Sequence, residues 1–208
     1  MPILSRTRCT ASFISHLHLV TFSLTGRPAS RARGATPHQA SSFAFRIVMH
    51  PEALDLTSEK SDGLMQAWLG VKAWPDAFPA LTDMKRQGLR LAILANPTMR
   101  MLDAWIANSR LEGRFEPHPS TDRVRAFKPD PRAYRMGVDG FGIDRRRILF
   151  AAFGGWDVAG AKRFGYPVFW VNRAGTPAEE WGVSADGAGD NLIDLAGFAA
   201  RWNGGPMR

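Results

Sequence analysis

The stretch Ile148–Arg173, ILFAAFGGWDVAGAKRFGYPVFWVNR, decides the fold. An apolar run ends in small residues and an acid, an Ala/Gly-rich helical segment follows, and a second apolar run closes the unit within about thirty residues. It reads as strand, loop, helix and parallel strand. Parallel strands need a crossover, and ligands bind beyond their carboxyl ends. The loop 153–157 is therefore where chemistry is expected, and Asp157 is the first candidate residue.

Working outward, Leu89–Ala95 reads as another strand that leaves through Asn96-Pro97-Thr98. A helix before it turns Phe78, Leu81 and Met84 inward and stops at Gly88, the residue suited to a left-handed C-terminal conformation. After it, Asn96 or Thr98 can cap a helix whose buried stripe is Met99, Leu102, Trp105 and Ile106. Further upstream, Thr57 can cap a helix through Leu64, Met65, Trp68 and Leu69, before Trp74-Pro75-Asp76 breaks the chain. Downstream, residues 111–119 cross to the polar turn Ser120-Thr121-Asp122 and then to RAFKPDPRAY. Asp130 there can cap a helix starting at Pro131, where the missing N–H costs nothing. Residues 190–202 supply a short apolar piece and a terminal helix. Strands and helices alternating at these lengths indicate an α/β fold with a parallel sheet.

The chain has 208 residues, 45% apolar and 11% aromatic, enough to bury a substantial core. No apolar run approaches a membrane span, so no membrane partner is expected. The single Cys9 excludes an intrachain disulfide framework and fits a reducing compartment. The net charge is +8, but Arg6, Arg8, Arg27, Arg31, Arg33 and Arg46 supply +6 of it. Residues 52–208 carry the ordinary balance of a cytoplasmic globular domain, and no nucleic-acid partner is expected.

Residues 1–48 are a different kind of sequence, rich in Ser, Thr and Arg and free of acids. A transit peptide has this composition. The reading preferred here is an extension or shifted frame joined to a domain near Met49. A basic RNA-binding arm is disfavoured because nothing aromatic is interleaved with the arginines.

With residues 89–96, 120–131 and 148–157 laid out, three separated segments resemble the type II (S)-2-haloacid dehalogenase branch of the haloacid dehalogenase superfamily, in that family's order. WPDAFPALTDMKRQGLRLAILAN, RAFKPDPRAY and GWDVAGAKRFGYPVFWVNRAG carry the resemblance, which covers roughly residues 50–203. It implies a Rossmann-like parallel sheet with flanking helices, its first strand and most of its helical cap missing or replaced. Residues 49–75 would be the remnant of cap helix and hinge, and 76–203 the core. The family's aspartate nucleophile displaces halide from a short 2-haloalkanoic acid, and water hydrolyses the resulting ester to the 2-hydroxy acid. The resemblance implies Lys128 as the fixed cation, Asp157 as its positioner and activator of water, and Asn96 and Ala95 as holders of the substrate carboxylate. It implies no cofactor and no magnesium, and it leaves a homodimer open.

Each residue has a plainer reading. Lys128 alone would be an exposed loop lysine, Asp157 could cap the helix after Trp156, and Asn96 could serve the turn before Pro97. Gly160 and Ala161 read as packing residues, and Trp156 and Trp170 as core.

Three departures bear on activity. Ala152-Phe153-Gly154 stands where many members carry hydroxyl and amide side chains, and Ala95 where a serine is usual. Nothing like the family's FDAYGTLFD segment is present: no aspartate precedes Asp55 and no acid precedes Glu52. The missing strand would lie between Leu89–Ala95 and Ile148–Ala152. Residues 12–24 or 43–49 would have to replace it, or two strand edges stay unpaired and the fold is marginal.

Overall fold

A computed structural model describes residues 58–116, 120–178 and 180–202. The leader, the stretches 12–24 and 43–49, and the expected cap Thr57 lie outside the described residues.

Helix α1 (Ser58–Leu69) leads through a turn at Trp74 into α2 (Ala77–Arg86). Ala77, Ala80, Leu81 and Met84 form the buried face of α2. Phe78 was expected among them and is instead 49% exposed, with the Arg114 guanidinium 4.0 Å from its ring centroid. At 100° per residue it stands well off the arc centred on Ala77 and Met84. Gly88 has the expected left-handed φ of 80°. Helix α3 (Met99–Asn108) is capped by Thr98, whose side chain accepts from the Met101 N–H. Met101 joins Leu102, Trp105 and Ile106 on its buried face, while Met99 is only half-buried.

Among the described residues the expected strand Leu89–Ala95 forms no ladder. Among the described residues it makes one parallel bridge, Ala95 to Ser120, with further bonds from the Glu116 N–H to Leu91 O and the Thr121 N–H to Ala95 O. All of these lie on one side of the segment. On the other side no described strand reaches it, and composition alone cannot make a ladder without a partner.

Helix α4 (Pro131–Phe141) is capped by Asp130 and ends at Gly142 in a left-handed conformation. Strand β1 (Phe150–Ala152), helix α5 (Gly155–Phe164) and strand β2 (Val168–Val171) are the unit read from Ile148–Arg173. β1 and β2 pair in parallel, Phe150 opposite Val168 and Ala152 opposite Trp170. A third parallel strand, β3 (Gly187–Gly189), extends the sheet beyond β2, and α6 (Leu192–Arg201) follows. The sequence of β3, Gly-Ala-Gly, has no apolar alternation to announce it. Its glycines let α6 approach closely: a Cβ at Gly187 would lie 2.5 Å from the Phe198 ring, and one at Gly189 would lie 2.6 Å from Asp194 Cβ.

Apolar clusters cover both faces of this platform. Leu81, Met84, Phe169, Leu195 and Phe198 belong to one, and Tyr134, Phe150, Val158, Tyr166 and Val168 to the other. Burial on both faces is the normal condition of a parallel sheet. No helix among the described residues is long and apolar enough to cross a membrane.

Candidate active site

The site forms beyond the carboxyl end of β1, where three chain segments converge. The first is the exit of residues 89–95 at Asn96. The second runs from a short 3-10 turn (Thr121–Val124) through Arg125, held at φ 48°, to Lys128 and the start of α4. The third is the first turn of α5, which contains Asp157.

Lys128 and Asp157 meet as a buried ion pair, Nζ to Oδ2 at 2.7 Å, with side-chain exposures of 0% and 1%. Tyr134 donates its hydroxyl to the other oxygen, Oδ1, at 2.7 Å. One carboxylate thus receives a cation and a neutral donor, and it sits in a helix's first turn, where negative charge is favoured. The Lys128 ammonium also lies 5.3 Å from the Phe150 ring centroid and 5.9 Å from that of Trp156. Burial lowers the Lys128 pKa below the ordinary lysine value, with the Asp157 charge and hydrogen bond opposing that effect. Burial and then the Asp157 charge raise the Tyr134 pKa, so its hydroxyl stays protonated and donates.

Asn96 ties the first two segments together. Its Oδ1 accepts the Lys128 backbone N–H at 3.0 Å and the Thr121 hydroxyl at 3.2 Å, both buried bonds. This goes beyond a turn before Pro97, because it fixes the backbone that carries the lysine. Ala95 is 1% exposed, its methyl packs with Val71, Leu102 and Trp105, and its carbonyl accepts from Thr121. Gly154, not Asp157, occupies the N-cap of α5. The capping reading of Asp157 therefore gives way to the ion pair.

The packing reading of Gly160 has a direct reason. A Cβ there would run into the Tyr134 hydroxyl and approach Pro129 Cβ at 2.8 Å, so glycine keeps Tyr134 in reach of Asp157. Ala161 is fully buried. Trp170 is half-buried and donates its indole N–H to Phe153 O at 2.7 Å. Half-buried Trp156 joins Gly155, Asn172 and Thr176 in lining a cavity of about 230 Å³ beside the loop. No group of three His, Cys, Asp or Glu side chains capable of holding a metal occurs among the described residues.

Chemically, the arrangement is a dry, fixed positive charge whose partner is held on both oxygens. Its charge is set before any ligand arrives, the condition for electrostatic stabilisation without reorganisation. The family model described as haloacid dehalogenase-like hydrolase matches residues 38–165.

The chain belongs to the haloacid dehalogenase-like hydrolases.

Within that family, it is 38% identical over 148 residues to haloacetate dehalogenase H-2 of Moraxella sp. (strain B), covering 71% of this chain and 66% of that protein. It is 36% identical to the (S)-2-haloacid dehalogenase of Pseudomonas sp. (strain YL), covering 71% and 64%. The chain thus spans about two thirds of the length of these curated relatives. The crystal structure of the L-2-haloacid dehalogenase RSc1362 superposes with a TM-score of 0.76 at 31% identity, over 82% of this chain and 76% of that one. The α/β class and the parallel sheet with flanking helices agree with this haloacid dehalogenase-like architecture.

Tyr134 and Thr121 were not singled out from the sequence as site residues. Tyr134 appeared only as the last residue of RAFKPDPRAY and Thr121 as part of a polar turn. The available signal was RAFKPDPRAY, in which a helix capped at Asp130 carries the tyrosine back toward the lysine.

Proposed function

We propose that this chain is the platform of a 2-haloacid dehalogenase, a cytoplasmic hydrolase fold whose reaction by descent converts short 2-haloalkanoic acids to 2-hydroxy acids. The observation that supports it is the buried Lys128–Asp157 pair, held by Tyr134 and by the Asn96 bond to the Lys128 backbone. Lys128 supplies the cation that draws a short carboxylic acid toward the carboxyl end of β1, and Asn96 and the backbone at Ala95 receive its carboxylate. Asp157 keeps Lys128 in place and lies where it can orient a water molecule.

The polypeptide of these 208 residues does not complete the reaction. Displacing halide needs a carboxylate facing the halogen-bearing carbon, and Asp157 is committed on both oxygens. The sequence offers no aspartate before Asp55. The activity is thus reduced to binding. Calorimetric titration with 2-chloropropionate tests this: heat that saturates for the wild-type chain and disappears in Lys128→Met is expected. Equal binding by both proteins would overturn the assignment of Lys128.

A second reading, a scaffold derived from the same fold, is favoured by Ala95, Ala152 and Gly154, which bring no polar side chains to the pair. It predicts that neither protein takes up 2-chloropropionate.

A further inference from the structure

Asn96 is held on both sides of its backbone and at its side chain. The Thr121 N–H donates to Ala95 O at 2.9 Å and the Ser120 hydroxyl donates to Pro97 O, so one turn binds the carbonyls that flank the asparagine. The asparagine's own Oδ1 accepts the Thr121 hydroxyl at 3.2 Å and the Lys128 N–H at 3.0 Å. Between these two donors Arg125, at φ 48°, takes a left-handed conformation that residues other than glycine rarely adopt. The stretch from Thr121 to Lys128 thereby returns both donors to one oxygen.

These bonds fix which end of the amide is offered to a ligand. A backbone N–H can only donate, so the atom facing Lys128 N is the oxygen, and the Thr121 hydroxyl must then donate as well. With the accepting end occupied twice, what remains is the N–H2 end, which donates and cannot accept. Such a group suits a carboxylate and rejects a cation. Asn96 keeps 9% of its surface exposed, whereas the Lys128 side chain keeps none. The amide can therefore meet a ligand directly, while the lysine acts on it through its charge.

Thr121 is fully buried. A hydroxyl there costs stability unless it is bonded, and valine would fill the same space with no polar atom to satisfy. What the hydroxyl contributes is its bond to Asn96. Two donors fix the plane of the amide, whereas the Lys128 N–H alone leaves the side chain able to turn about a single bond.

We propose that Thr121 is a positioning residue, which holds the Asn96 amide with its N–H2 end toward an anionic ligand. The choice of a short carboxylic acid as that ligand rests on the 2-haloacid reading above.

Three variants of the full chain separate this role from plain packing. Thr121→Val keeps the shape and removes the donor, and Thr121→Ser keeps the donor. Asn96→Asp keeps the accepting oxygen but replaces the N–H2 end with a second acceptor. In calorimetric titration with (S)-2-chloropropionate, Thr121→Val should bind about three- to tenfold more weakly than wild type, the size of one hydrogen bond. Thr121→Ser, which still donates, should stay within about twofold of wild type. Asn96→Asp should give no saturable heat. Wild-type affinity in Thr121→Val, an equal loss in Thr121→Ser, or saturable heat from Asn96→Asp would overturn the proposal.

A readout without ligand keeps the two readings apart. Nitrogen relaxation of the Asn96 side-chain amide should give an order parameter of about 0.85 in wild type and Thr121→Ser, and below about 0.6 in Thr121→Val. An amide equally rigid or equally mobile in wild type and Thr121→Val would overturn the positioning role. If wild type takes up no 2-chloropropionate while the order parameters differ as expected, the 2-haloacid reading fails and the positioning role stands.

Discussion

Tyr134 and Lys128 hold opposite oxygens of one buried carboxylate, each at 2.7 Å, with no solvent between them and Asp157. The tyrosine comes from α4 and the lysine from the loop just before it, so one turn of chain builds both arms of the clamp. Removing the hydroxyl alone, in Tyr134→Phe, leaves Oδ1 buried without its donor. A loss of about 1–3 kcal/mol is expected, read as a lower urea midpoint with an unchanged slope.

Breaking the ion pair should cost more than replacing it. Lys128→Met strands the Asp157 charge in a dry site, for which about 3–5 kcal/mol is typical. The double variant Lys128→Met with Asp157→Leu should recover much of that loss, because no charge remains buried. A double-mutant cycle on urea unfolding measures the coupling, and additive single losses would contradict the clamp.

Two glycines in helices should respond with opposite signs. Gly160→Ala pushes on Tyr134 and Pro129 and should destabilise by about 1–3 kcal/mol. Gly63, in α1, has no neighbouring atom within 4 Å of where a Cβ would stand. Gly63→Ala should therefore stabilise by about 0.5–1 kcal/mol through helix propensity. Thermal melts of the two variants side by side check the contrast.

Asp76 gives a pH-dependent test away from the site. Its Oδ2 accepts from Arg173 at 2.6 Å and from the Leu192 N–H at 2.7 Å, clamping the start of α2 to β2 and α6. Burial pushes its pKa up, but these bonds outweigh it and hold the carboxyl below 3.8. Because the folded value is the lower one, the contribution is complete above the unfolded pKa and is lost as pH falls through the folded one. Asp76→Asn should cost on the order of 1–2 kcal/mol near neutral pH. The gap to wild type should close on acidification below about pH 4, followed by urea midpoints across the range.

Much of this was legible from local pattern. Ile148–Arg173 announced its strand, helix and strand because the apolar period changes twice within it. Asp130, Thr98 and Gly88 announced helix ends because capping is a local backbone requirement. Leu89–Ala95 has a strand's composition yet forms no ladder among the described residues, where its pairing is the single bridge from Ala95 to Ser120. Phe78 was misplaced because an aromatic at a plausible position can be satisfied by a surface arginine. The Gly-Ala-Gly strand was invisible because the close approach of α6 selects small residues over strand formers. At the site, Lys128 and Asp157 came from a three-segment resemblance, whereas Tyr134 needed three dimensions: a helical tyrosine near apolar residues reads as core until its hydroxyl is seen on a carboxylate.

The proposed function holds that the charge clamp is in place while the nucleophile is not. Halide release from (S)-2-chloropropionate by the purified 208-residue chain tests it most directly. No release above the buffer rate is predicted, for wild type and Lys128→Ala alike. Sustained wild-type turnover that Lys128→Ala abolishes would contradict it, because the chain would then hold a working nucleophile beside that lysine.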